Sequence, residues 1–313
     1  MRQVLVIKLG ALGDVVQAFA PFAAIRNAHP DARITLLTTR AFVALCGASP
    51  WFDRIEADAR PKLWNLSGML RLRRQLRAPG GSAFDLVFDL QTSGRSSRYH
   101  ALAGRPPWSG IGRGVSLPHD NPSRDFMHTR DRQRDQLARA GIADVPDPDL
   151  RWLAHHPDRP RGADLPAAPY AVLVPGAAPH RPLKRWPGER FAQLAVRLQK
   201  DGLRPAVAGG PDDRALGEAI RAACPSTLNL AGHTSLTALG PLLAGAALAV
   251  GNDTGPMHMA ALLGCRSVVL FGPDSDPALT APRGPDPELV RVLRRPSLDD
   301  LAVDEVHAAS RWR

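Results

Sequence analysis

The sequence predicts two α/β domains facing one another across a cleft, each built on a parallel sheet, and three observations carry that prediction. Short β-rich runs recur at 4–7, 34–38, 84–88, 170–174, 204–208 and 268–271. Glycine-bearing turns follow several of them, at Gly10 and Gly13, at Pro175 and Gly176, at Gly209 and Gly210, and at Gly272. The length of 313 residues, with 44% hydrophobic content, supports large cores and favours two domains of ordinary size. The expected division is an N-terminal domain over 1–155, a linker over 156–169, a C-terminal domain over 170–296 and a helical tail over 297–313.

Charge and cysteine content narrow the class. Forty Lys plus Arg against thirty Asp plus Glu give a net charge of +10, so an acidic partner is expected. No nucleic-acid partner is expected: aromatic content is 5%, and no nucleic-acid-binding signature is present. Cys46, Cys224 and Cys265 lie far apart without C-x-x-C spacing, which argues against a disulfide framework and a zinc site and fits a reducing compartment. The N-terminal apolar run is broken by Lys8 and Asp14, unlike a signal peptide. The uncharged run 234–252 reads as a short helix and a buried strand rather than a membrane span.

In chain order, the strand at 4–7 leads through Gly10 and Gly13 into a helix carrying Val15, Phe19, Phe22 and Ile25. The glycines are spaced G-x-x-G, not as a dinucleotide fingerprint, and Asp14 would repel a pyrophosphate. A helix start favours that negative charge, leaving Asp14 available as a base; a purely structural capping role is the plainer alternative. Residues 71–77 form a basic amphipathic helix, solvated or touching anionic headgroups. After the strand at 84–88, residues 89–98 read as a polar, basic turn at a strand's carboxyl end, where ligands of open α/β sheets collect. Residues 105–135 show little periodicity and are expected to be irregular or mobile, closing over a substrate.

The second series culminates in 246–264, where a strand pattern changes to a helix pattern around Asn252, Asp253, Thr254 and Gly255. Pro256 suits the first helical position and Gly264 the end. Free N–H groups of Thr254 and Gly255 at the helix start offer a phosphate site that needs no metal, and Asp253 offers a carboxylate to sugar hydroxyls. A capped turn without a ligand is the competing reading at this point.

The chain resembles glycosyltransferase family 9, the heptosyltransferases of lipopolysaccharide core assembly, over nearly its whole length. The carrying motifs are Val4-Leu-Val-Ile-Lys8 with Gly13-Asp14-Val15, Asp89-Leu-Gln91 with Arg95-Ser96, and Lys184-Arg185-Trp186-Pro187. Gly209-Gly210-Pro211, Gly251-Asn-Asp-Thr-Gly-Pro-Met-His258 and Phe271-Gly272-Pro273 complete them, and the end of the chain, from Ser297 to Val306, is similar to the family's final helix. Gly10 is a departure, since many relatives have serine there.

The resemblance implies a GT-B fold of two Rossmann-like domains and inverting transfer of a heptosyl group from an ADP-sugar to a lipid-linked acceptor. Asp14 stands at the family's catalytic-base position, and Lys184 would stabilise the departing diphosphate. Donor contacts are expected from Asp253, Thr254, Gly255, Pro256, Met257, His258, Arg185 and Gly176. Acceptor contacts are expected from Gly13, Arg60, Lys62, Gln91, Arg95 and Arg98, cations among them suiting an acidic sugar or phosphate. Trp186 reads as core rather than as a platform for a base. No cofactor or metal is expected. The partners expected are a nucleotide-sugar donor, an anionic glycolipid acceptor and the anionic surface of the inner membrane's cytoplasmic face, met by a peripheral monomer.

Two rival classes fit less well. An epimerase or dehydrogenase would need a dinucleotide fingerprint and usually Tyr-x-x-x-Lys, but neither Tyr99 nor Tyr170 has lysine four residues on. A noncatalytic relative would be expected to lose Asp14 or Lys184, and both are present.

Overall fold

The computed structural model describes residues 1–62, 64–162, 165 and 169–312. It divides into two units, Met1–Asp149 and Leu150–Arg313. The first holds β1 (Gln3–Ile7), β2 (Arg33–Thr38), β3 (Arg54–Ala57), β4 (Leu86–Asp89), β5 (Trp108–Gly110) and β6 (Leu117–Pro118), in the order β3-β2-β1-β4-β5-β6. The second holds β7 (Tyr170–Val174), β8 (Arg204–Val207), β9 (Leu228–Asn229), β10 (Leu248–Asn252), β11 (Ser267–Phe271) and β12 (Val290–Arg294), in the order β12-β11-β10-β7-β8-β9. Every paired strand runs parallel. Relative to its own first strand, each sheet has the same doubly wound succession. The strand order therefore reverses between β1 and β4 in one unit and between β7 and β10 in the other, and ligands of such sheets bind at those carboxyl ends.

The central strands are apolar throughout because helices cover both faces of a parallel sheet. Val4 to Ile7, Ala171 to Leu173 and Val268 to Phe271 have no exposed surface. Around β7, β10 and β11 the core gathers Trp186, Phe191, Leu194 and Leu198 with Leu298, Leu301, Val303 and Val306. Residues 298–306 are thus part of the second unit's core rather than a separate tail, and their helix Val303–Ala309 packs against the helix Gly188–Lys200.

Several expectations need correction. The unit boundary falls at 149/150 rather than at 155. Leu153, in the helix Arg151–Ala154, packs so closely on Gly240 that a Cβ there would lie 2.4 Å from its carbonyl oxygen. Asp158 accepts hydrogen bonds from the hydroxyls of Ser235 (2.5 Å) and Thr237 (2.6 Å), tying the start of the expected linker to the second unit. Residues 163, 164 and 166–168 of that linker and Arg313 of the tail lie outside the described residues.

Residues 105–135 are irregular only in part: they contain β5, β6, the 3-10 turn Arg124–Phe126 and the start of the helix Thr129–Arg139. That helix escaped the hydrophobic pattern because most of what it buries is polar, namely Thr129, Arg130, Gln133 and Gln136 beside Leu137. Residues 94–98 are helical rather than a turn, since Ser93 caps the helix Gly94–Leu102 by accepting the N–H of Ser96. The second sheet does not end at β11; β12 adds an edge whose arginines keep it half-exposed. The first helix breaks at Ala18 into Leu12–Gln17 and Phe19–Ala28.

Candidate functional site

At the first reversal point, β1 runs out through Lys8, Leu9 and Gly10 while β4 runs out through Leu90, Gln91 and Thr92. Gln91 joins the two, its Oε1 accepting the N–H of Leu9 at 2.8 Å. The buried Asp89 holds the β4 turn, accepting the N–H groups of Gln91 (3.1 Å) and Thr92 (3.0 Å) on Oδ1. Thr92 has a φ of +44°, a conformation that a threonine keeps only when its surroundings impose it. Burial pushes the Asp89 carboxyl up to about 6, against hydrogen bonds from Ser96 and the two N–H groups and the charge of Lys8. Lys8 is itself buried, its ammonium donating to the Leu90 carbonyl at 3.0 Å. Burial lowers its pKa, and the nearby Asp14 carboxylate opposes that.

Asp14 is the third residue of the helix Leu12–Gln17, and its Oδ2 accepts the N–H of Ala11 at 3.0 Å. This helix start therefore already carries its own anion. Around it lies a cavity of about 200 Å³, lined by Lys8, Asp14, Gln91, Arg124, Arg132 and Gln133 among others. Arg124 donates to the Thr92 hydroxyl at 2.7 Å, yet its buried Nε finds no partner among the described residues, and neither does Oε1 of Gln133. Burial and the neighbouring Arg124 lower the pKa of Arg132. Lys8, Arg124 and Arg132 crowd beside Asp14, with Asp125 paired to Arg124 and unpaired polar atoms among them, a set chemically suited to an anion that carries hydroxyls.

A larger cavity, about 740 Å³, lies on the other side of Gln91 and is lined by Gly10, Phe42, Asp58 and Arg60 among others. Gly10 has a φ of +118°, and a Cβ there would lie 2.7 Å from the Phe42 ring, so this chain's departure to glycine belongs to the local packing. Arg60 donates to the Leu9 carbonyl at 2.8 Å, which fixes it on the cavity wall.

The second reversal point is built differently. Asn252, fully buried at the end of β10, donates to the Pro175 carbonyl after β7 (2.8 Å) and accepts the N–H of Trp186 (3.0 Å). One side chain thus fastens three segments. Trp186 is core, as expected, its indole N–H donating to Leu301 O at 2.9 Å. The 3-10 turn Pro182–Lys184 delivers Lys184, whose ammonium donates to Asp253 Oδ2 at 2.6 Å with both side chains largely covered. His258 Nε2 stands 3.7 Å from the other oxygen of Asp253. Burial pushes the Asp253 carboxyl upward, but His258 and Lys184 outweigh it and hold the pKa at about 2.

The helix Gly255–Leu262 then begins with no side-chain cap on Thr254. Thr254 turns its hydroxyl back onto the Asn252 carbonyl at 3.1 Å, and the N–H groups of Thr254 and Gly255 have no acceptor among the described residues. An uncapped helix start beside a lysine is suited to a phosphate.

Not all expected site residues converge. Asp14, Gln91 and Arg60 line the cavities of the first unit, with Gly13 beside Asp14 on its helix. Lys62, Arg95 and Arg98 are exposed and line neither of these cavities; Arg95 and Arg98 sit on the helix Gly94–Leu102 rather than in the expected loop. In the second unit Lys184, Asp253, Thr254, Gly255 and His258 adjoin one another, with Pro256 in the first helical turn. Arg185 braces its loop through the Ala177 carbonyl at 2.5 Å. Met257 is fully buried and packs under β10, where a Cβ on Gly251 would meet its sulfur at 2.8 Å. At Gly176 an added Cβ would run into the Asp213 carboxylate, so the local packing requires glycine there.

The sequence reading missed Arg124, Arg132 and Gln133 as site residues, and Asn252 as the fastener. The available signal for the first three was the absence of Gly and Pro from 124 to 140, which permits a helix without apolar periodicity. Among the described residues no group of three or more His, Cys, Asp or Glu is placed to hold a metal ion. No helix among them is long and apolar enough to cross a membrane.

Comparison with known proteins places the chain. The model of glycosyltransferase family 9 (heptosyltransferase) matches residues 69–305. Lipooligosaccharide heptosyltransferase 2 of Haemophilus influenzae is 26% identical, over 93% of this chain and 88% of that protein. Lipopolysaccharide heptosyltransferase 1 of Pseudomonas aeruginosa is 27% identical, over 90% and 81% respectively. Among solved structures, an Escherichia coli heptosyltransferase with ADP superposes with a TM-score of 0.77 at 22% identity, covering 98% of each chain, which establishes a shared GT-B fold.

Proposed function

The chain belongs to glycosyltransferase family 9, and from that premise we propose that it moves a heptosyl group from ADP-heptose to a lipopolysaccharide-core acceptor of the lipid A–Kdo type, inverting the anomeric carbon. The observation that carries this reading is the uncapped helix start at Thr254 and Gly255 beside Lys184. The donor diphosphate takes its charge complement from those N–H groups and the ammonium, with no metal needed. As the sugar–phosphate bond breaks, the leaving ADP gathers negative charge where these donors already point. Asp253 keeps Lys184 in place and offers an oxygen to a sugar or ribose hydroxyl.

On the acceptor side, Asp14 removes the proton from the attacking hydroxyl, and Lys8, Arg124 and Arg132 receive an acidic group of the acceptor. Attack from the face opposite the phosphate gives inversion. The protein works as a monomer held peripherally at the cytoplasmic face of the inner membrane, drawn there by its +10 charge.

The test is transfer by purified protein from ADP-heptose to heptose-deficient lipopolysaccharide, with and without EDTA. ADP release matched by acceptor growth, undiminished by EDTA, is expected. Turnover only with another nucleotide sugar or another acceptor would replace the substrates while leaving the family in place. Loss with EDTA, restored by a divalent cation, would overturn the metal-free assignment.

A further inference from the structure

The first unit carries a surface that its own fold leaves uncovered. Between Asp58 and Asp85 the chain has no acidic residue and six cations. Within that stretch the helix Leu66–Gln75, capped by Asn65 on the N–H of Gly68 at 2.9 Å, buries Leu72. Its opposite side carries Leu66 and Leu70, which are 75% and 57% exposed and lie four residues apart on one face. Arg73 and Arg74 follow Leu70 by three and four residues and so border that apolar face. Just before the helix Trp64 is 77% exposed, and Lys62 stands 5.1 Å from the centre of its ring. Arg71, Arg73 and Arg74 form no ion pair among the described residues.

We propose that Trp64, Leu66 and Leu70, with Arg71, Arg73 and Arg74 around them, form the surface by which this chain lies on an anionic lipid bilayer. The proposal rests on the peripheral-membrane reading and gives it a place in the fold. The argument for lipid is charge complementarity together with spacing. An interfacial helix sinks apolar side chains into the headgroup boundary while flanking arginines reach the phosphates. Here Leu66 and Leu70 share one face bordered by cations, and a tryptophan, a side chain suited to that boundary, stands at the helix entrance. The surface also continues along the chain from Arg60 on the wall of the larger cavity, where an acceptor still anchored in the bilayer would be presented.

The experiment is flotation of the full chain with vesicles of phosphatidylcholine and phosphatidylglycerol, at low and raised salt. It compares the wild type with Arg71→Gln/Arg73→Gln/Arg74→Gln and with Trp64→Ser/Leu66→Ser/Leu70→Ser. All six positions are exposed or peripheral to the core, and thermal melts of both variants verify that they fold. Binding by the wild type, weakened roughly 100-fold in the arginine variant at low salt, is expected from the attraction of each cation to an anionic surface. The apolar variant should retain low-salt binding and lose the part that survives raised salt. Brominated lipid should quench wild-type fluorescence more than that of Trp64→Phe. Equal binding by wild type and both variants would overturn this surface while leaving membrane attachment standing. No wild-type binding at low salt would overturn both. Self-association abolished by the apolar variant, in place of vesicle binding, would assign the surface to a second copy of the chain.

Discussion

The two units share one strand succession and finish the helix starts at their reversal points in opposite electrical senses. In the first, the helix after β1 carries Asp14 in its first turn, and that carboxylate already occupies the donor N–H of Ala11. In the second, the helix after β10 begins with Thr254 and Gly255, whose N–H groups are left open, and Lys184 stands close by. A phosphate at the first helix start meets a carboxylate, whereas a phosphate at the second helix start meets open N–H groups. Under the proposed function, a few residues divide the same topology into a half that supplies a base and a half that receives a leaving anion.

The sharpest way to break this contrast is Asp14→Ala. Turnover should fall by roughly 10²–10⁴-fold, the usual contribution of a positioned base. Calorimetry should find ADP binding unchanged, and turnover near wild type in the folded variant would return Asp14 to a structural role. Next in size is Lys184→Met, for which kcat should fall roughly 10²–10³-fold with weaker ADP binding. Adding Asp253→Asn should restore part of the ADP affinity, because the unpaired carboxylate otherwise repels the diphosphate; strictly additive effects would show that the pair does not act together.

Smaller still is Asn252→Ala, which removes the fastener from the second unit alone. Leaving the Trp186 N–H unpaired should cost roughly 2–3 kcal/mol, measured by denaturant unfolding. The equivalent in the first unit is Asp89→Asn, which keeps an oxygen for the N–H groups of Gln91 and Thr92. With its carboxyl raised to about 6 from 3.8, native Asp89 retains a proton that the unfolded chain has lost, so wild-type stability falls as pH rises through that window. The stability of Asp89→Asn relative to wild type should therefore grow between those two values and level off above them. A pH-independent difference would mean that Asp89 does not titrate there.

What was legible in the sequence follows the same divide. In the second unit the strand end, open turn and helix start were legible, because Gly251 to His258 places them in one continuous stretch. The site in the first could be read only in its Asp14 and Gln91 portions. Two of its cations, Arg124 and Arg132, reach the cavity from a 3-10 turn and the helix that follows it, whose buried face is largely polar, and hydrophobic periodicity is blind to such a helix. Strand count suffered for a related reason: β5, β6 and β9 are two or three residues long and carry no pattern of their own. The packing demand behind individual glycines was not legible either, since Gly176 is required by Asp213 and Gly10 by Phe42.

The Asn252 fastening has a kinetic consequence. A binding loop already tied to Pro175 and Trp186 before any nucleotide arrives has little conformational freedom left to surrender. Nucleotide capture at this half should then proceed without waiting on a slow ordering step, and differences in tightness among nucleotides should be written in how long each one stays.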